Sequence, residues 1–176
     1  MPRMDNIANQ NLPMRIRSNH ALEHATLHIL QEKGINTQLG GISDMSGFWI
    51  YGDVSTDMVL AAAQEALARL IGGENELAVH PNCGTNIAVG SLAAGSLAWI
   101  GMLGTRGRIG RKLRRLPLAV LLALVGYQLS RPLGPKLQKQ ITTNANLEGL
   151  ELAEVVKHDV FGRTVHHIST RSVAKS

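Results

Sequence analysis

Polar and apolar residues alternate in three different ways along the chain, and each way marks a segment. From Asn11 to Gly34 the apolar residues recur at helical spacing, with Asn11 and Pro13 as start signals and Gly34 as a stop. The runs "INTQLGGISDM" and "GFWIYGDV", split by Ser46-Gly47, read as a strand pair. "STDMVLAAAQEALARLIGG" predicts a second helix, because Ser55 or Thr56 can cap it, an Ala/Leu body propagates it and Gly72-Gly73 ends it. "NELAVH" reads as a third strand that runs into the loop "PNCGTN".

The pattern then changes. Residues 87–103 and 116–129 are uncharged and apolar, and 104–115 between them read "GTRGRIGRKLRR". At ~1.5 Å per residue the two stretches reach roughly 25 and 21 Å, short of the ~30 Å hydrocarbon core of a bilayer. Bilayer thinning and snorkelling arginines accommodate such spans, and small residues four apart (Gly90/Ala94, Ser91/Gly95, Ala94/Ala98) let two helices approach closely. A membrane hairpin is the favoured reading. A buried hairpin in a soluble homo-oligomer is the alternative.

After a helix end and loop from Pro132, "LEGLELAEVVKHDVFGRTVHHISTRS" alternates as two strands around Phe161-Gly162. A lone strand pair is marginal, so it is expected to join the sheet begun earlier. The predicted class is therefore α+β, a small helix–strand–strand–helix–strand domain completed by a C-terminal strand hairpin, with an apolar two-helix hairpin inserted. The expected segments are 1–85, 86–131 and 132–176.

Composition supports helices over a sandwich core: 44% of the 176 residues are hydrophobic but only 3% aromatic. The single Cys83 excludes an internal disulfide. The first twenty residues show no apolar run of a cleaved signal peptide. The net charge of +5 is uneven, because residues 86–130 hold six bases and no acid. Those six, Arg106, Arg108, Arg111, Lys112, Arg114 and Arg115, beside apolar helices suit anionic lipid headgroups at a membrane. Nucleic acid is disfavoured as a partner, since no aromatics interleave the bases to stack on nucleotides. The positive-inside rule places this turn in the cytoplasm, which conflicts with a leaderless N-terminal domain also staying there. A hairpin lying partly in the interface avoids the conflict.

The candidate chemistry lies in "SNHALEHATLHIL". His20, His24 and His28, four residues apart, share one side of the first helix, next to the apolar face of Ala21, Leu22, Ala25 and Ile29. His20-x-x-Glu23-His24 is an H-x-x-E-H arrangement, expected by chance on the order of one per cent of the time at this composition. It resembles the inverzincin metallopeptidases. That resemblance implies zinc on His20 and His24, with Glu23 as the general base that takes a proton from water acidified by the metal. Inverzincins draw a third ligand from a downstream Glu, and this chain has none between Glu76 and Glu148. His80 and Cys83 of "HPNCGTN" are the candidate substitutes, since both side chains are competent ligands. The plain alternative is a Pro/Asn/Gly turn before the next helix, with Asn86 as its cap. His158, His166 and His167 are expected at the surface. The longer string "NHALEHATLH", followed by two apolar helices, resembles an uncharacterised bacterial membrane-protein family, which implies membrane association without an activity. Two functions follow: a membrane-associated metal-dependent hydrolase, peptidase-like, or a non-catalytic membrane scaffold or assembly protein whose histidine row is structural.

Overall fold

The computed structural model describes residues 12–35, 38–105 and 109–173. They divide into two compact units, Met1–His80 with Lys139–Ser176, and Pro81–Gln138.

The first unit is an α+β fold. Helix α1 (Leu12–Glu32) ends as its sequence predicts. Gly34, at φ +79°, allows a Schellman closure in which the Gly34 and Ile35 N–H groups donate to the carbonyls of Gln31 and Leu30. Strands β1 (Gly40–Ser43) and β2 (Gly47–Tyr51) form a hairpin whose turn is organised by Asp44. Its carboxylate accepts from the backbone N–H of Ser46 and Gly47 and from Trp49 Nε1. Burial pulls the Asp44 carboxyl upward, but the bonds from Ser46, Trp49 and Gly47 hold it below its ordinary range. Helix α2 (Thr56–Ile71) is capped by Ser55, whose hydroxyl accepts from Met58 N, and it buries Val59, Ala62, Ala63, Ala66 and Leu70 along one stripe.

Strands β3 (Leu150–Val160) and β4 (Arg163–Ser172) complete a four-stranded antiparallel sheet in the order β1-β2-β4-β3. The C-terminal pair thus joins the sheet as expected. Leu22, Ile29 and Leu30 of α1 pack with Phe48, Ile50 and Ile168 of the sheet and with the alanine stripe of α2.

"NELAVH" is a correction. Asn75–Ala78 form a 3-10 turn instead of a strand, and no strand of the sheet pairs with this segment. A short apolar run such as Leu77–Val79 reads as a strand by sequence, but only a partner edge makes one. Of the three C-terminal histidines expected at the surface, His158 is exposed, His167 is half-buried and His166 is not at the surface. His166 is fully buried with Nε2 3.1 Å from Thr56 Oγ1, while His167 and His158 flank Trp49 at 4.3 and 5.4 Å.

The second unit is a helical hairpin, α3 (Gly84–Met102) and α4 (Ile109–Ser130), followed by the short α5 (Leu133–Leu137). Small residues bring α3 and α4 together. A Cβ on Gly126 would lie 2.7 Å from the Ala93 carbonyl oxygen, one on Gly90 2.8 Å from Tyr127, and one on Gly101 3.2 Å from Ala119 Cα. Cys83, not Asn86, is the N-cap residue of α3. The Asn86 amide donates to the Pro81 carbonyl and its oxygen accepts from Gln138. Both helices are long and apolar enough to cross a membrane. Of the basic turn, Arg106 and Arg108 lie outside the described residues. Arg111, Lys112, Arg114 and Arg115 sit on the first turns of α4. Arg115 donates to the carbonyls of Gly101 and Leu103, closing the C-terminal end of α3.

Candidate metal centre

One edge of α1 meets two short segments of the same unit, the 3-10 turn Asn75–Ala78 and, from Lys139 onward, the π-helical turn Gln138–Thr142. Helical turns end in carbonyls that lack an acceptor role within the turn, and α1 supplies the donors. Arg17 donates to the carbonyls of Gln140 and Thr143. His20 Nδ1 donates to Thr142 O at 3.0 Å, His24 Nδ1 to Ala78 O at 2.9 Å, and His28 Nε2 to Val79 O at 2.9 Å. The three histidines, one helical turn apart, thus each meet a backbone carbonyl.

These bonds determine tautomers. A carbonyl oxygen only accepts, so the bonded nitrogen carries the proton, and the other nitrogen of each neutral ring keeps its lone pair. His20 and His24 therefore both present Nε2, and His28 presents Nδ1. A backbone carbonyl behind the far ring nitrogen is the usual support of a metal-ligating histidine. The His20 and His24 rings are 4.3 Å apart, and a ring nitrogen of each lies within 4.8 Å of the other. Two nitrogens on one tetrahedral zinc are about 3.3 Å apart. The 4.8 Å bound exceeds that spacing by about 1.5 Å.

His80 continues the row. It is buried, with its ring 5.7 Å from His24 and 4.8 Å from His28, so it stands beside His28 more closely than beside the His20–His24 pair. Burial first, then the neighbouring His28 and His24, lower its pKa to about 4, which keeps the ring neutral. Cys83 belongs to the second unit. It is buried, and its thiol lies 3.5 Å from Thr85 Oγ1.

Glu23 is 4% exposed, and it faces β1. The Ser43 hydroxyl donates to its Oε2, and Gly41 lies against Oε1 so closely that a Cβ there would overlap it. No local pattern marks Ser43 or Gly41 as partners of Glu23, because the pairing depends on how β1 packs across α1. The carbonyls of Ala78 and Thr142 are equally invisible in the sequence, since any residue supplies a carbonyl.

Fold and site together define an α+β domain with a partly buried imidazole row, interrupted by an apolar helical hairpin. The chain belongs to a family described as a domain of unknown function (DUF6391), whose model matches residues 15–155 and so takes in the histidine helix, the hairpin and the first half of β3. It is similar to an uncharacterised protein of Picosynechococcus sp. (strain PCC 7002), 33% identical over 175 residues, covering 89% of this chain and 79% of that relative. No solved structure matches the chain. Neither match carries an activity, so the metallopeptidase resemblance stands on the five residues of H-x-x-E-H alone.

Proposed function

We propose that this chain is a membrane-embedded metalloprotein in which His20, His24 and Cys83 hold a zinc-type ion and Glu23 handles protons, the arrangement of a peptidase-like hydrolase. The observation that carries this reading is the matched pair of carbonyl bonds on His20 and His24, which in the neutral rings leave the lone pair on Nε2. A helix that used histidines only to satisfy carbonyls would not need two of them within reach of a single ion.

Cys83 enters through donor chemistry and chain connectivity. It follows His80, the last residue of its segment of the first unit, by three residues, so the backbone tethers it within about 10 Å of that segment. Two neutral imidazoles and one thiolate make a nitrogen–sulfur set suited to zinc. His80 is assigned to the wall behind His24 and His28. When bound, the ion would supply Lewis-acid polarisation of a carbonyl. Glu23, held by Ser43, would move the proton.

Membrane embedding is supported by exposure. Only 11% and 17% of the two apolar windows are buried, whereas a soluble core helix of this composition would be mostly covered. Ile87, Leu92, Trp99, Leu121, Leu124 and Leu129 are all more than half exposed.

The test is metal content after purification in detergent without chelator. About one zinc per chain is expected, lost in the His20→Ala/His24→Ala double variant and reduced in Cys83→Ser. A folded wild-type protein that stays metal-free under added zinc overturns the reading.

A second reading, a non-catalytic protein with a closed structural site, is favoured by one observation: the Ser43 hydroxyl already occupies Glu23 Oε2. Glu23→Gln separates the two. A structural site keeps metal and every cellular function, while a hydrolase keeps metal and loses peptide turnover.

A further inference from the structure

The first turns of α4 have a feature that neither the metal reading nor simple membrane spanning requires. The packing register of the hairpin sets Gly101 opposite Ala119, and α3 ends at Met102. Arg115 reaches the carbonyls of Gly101 and Leu103, at the level where α3 stops. Residues 109–114 therefore run past the end of α3 by about 9 Å of helix. Pro117 follows at once, and its missing N–H removes the helical bond to the Leu113 carbonyl, which lets the helix bend at this level.

This overhang is two-faced. Ile109, Leu113, Leu116 and Val120 succeed one another at helical spacing and are 77%, 63%, 51% and 52% exposed. They form one apolar stripe that continues onto the apolar part of α4. Arg111 and Arg114 project from the opposite side and Lys112 from the flank of the stripe, and all three are exposed. No acidic residue occurs between Glu76 and Glu148. Cations at a helix N-terminus also oppose the helix dipole, a local cost that an external anion offsets.

We propose that residues 109–116 form an interfacial helix that binds anionic phospholipid headgroups, with the apolar stripe in the acyl boundary and Arg111, Lys112 and Arg114 on the phosphates. Apolar continuity with α4 and the one-signed charge both select a lipid surface as the occupant. The stripe of an isolated acidic-protein site would have no reason to run on into a lipid-facing helix. This inference rests on the membrane reading and adds the lipid class to it.

The experiment reconstitutes the full chain into phosphatidylcholine vesicles doped with spin-labelled phosphatidylglycerol or spin-labelled phosphatidylcholine. The fraction of each label immobilised by the protein is then measured. Immobilised phosphatidylglycerol should exceed phosphatidylcholine by about two-fold or more at low salt. The gap should close at about 0.5 M salt, where charges are screened within a few ångströms. It should vanish in Arg111→Gln/Lys112→Gln/Arg114→Gln, whose exposed positions leave the hairpin packing intact. Equal immobilisation of both labels by wild type, or an unchanged preference in the triple variant, overturns this inference and leaves membrane embedding standing. No immobilised lipid of either kind overturns both.

Discussion

Gly41 lies against the carboxylate of Glu23 at a distance that admits no side chain. The strand residue two positions on, Ser43, gives its hydroxyl proton to the same carboxylate. Strand β1 is thus shaped around a buried acid of α1. Gly41→Ala should force either Glu23 or the strand aside and cost about 1–3 kcal/mol by urea denaturation. Ser43→Ala leaves the carboxylate in place but removes a donor, with a cost of the same order. If the two residues act on the same group, the double variant should lose measurably less than the sum of the singles. Strict additivity would mean that Gly41 is needed only for the path of β1.

Bound metal contributes stability whenever it binds the folded state alone. Chelation of wild-type protein should lower its thermal midpoint by about 5 °C or more, and zinc in excess should restore it. The His20→Ala/His24→Ala variant should start from the lower midpoint and respond to neither treatment. Scanning calorimetry in detergent reads both. A wild-type midpoint indifferent to chelator and zinc would count against the metal centre independently of metal analysis.

Local signals predicted local structure well. The Ser55 cap, the Gly34 closure and the Phe161-Gly162 turn each depend on residues within a few positions, and each forms where its sequence points. Periodicity likewise exposed the histidine row. What could not be read is whatever depends on packing across the fold. Val79 and His80 look like the end of a strand until the sheet is seen to have β1 and β3 at its edges. His166 looks like half of a surface pair until α2 is seen to set Thr56 against it. The bonds by which Arg115 closes the end of α3 are equally unmarked in the run of bases that holds it.

The glycines of the hairpin make opposite predictions according to position. Gly126 faces backbone, the carbonyl of Ala93, which cannot rotate away. Gly126→Val should separate α3 from α4 and raise amide hydrogen exchange along α3. Gly95 has nothing within 4 Å of its missing Cβ. Gly95→Ala should therefore stabilise α3 by up to about 1 kcal/mol, the ordinary gain of replacing a mid-helix glycine, and slow the same exchange. Similar behaviour of the two variants would mean that helix propensity, not interhelical contact, governs this unit.

His166 gives the domain a pH dependence with a definite sign. Burial first, then Lys157 and His158, lowers its pKa below the usual 6.5, so the folded state favours the neutral ring. In the unfolded chain the same ring protonates near 6.5. The stability it contributes is present above that value and is lost as pH falls through the lowered folded-state value. His80, lowered to about 4, acts in the same direction over the same range. Urea midpoints of the metal-free protein should therefore fall between pH 7.5 and pH 5. His166→Gln keeps a polar group toward Thr56 but cannot titrate. It should start lower at pH 7.5 and lose less on acidification, with His80 supplying what slope remains. An equal loss in wild type and variant would show that protonation of His166 is accommodated in the folded domain.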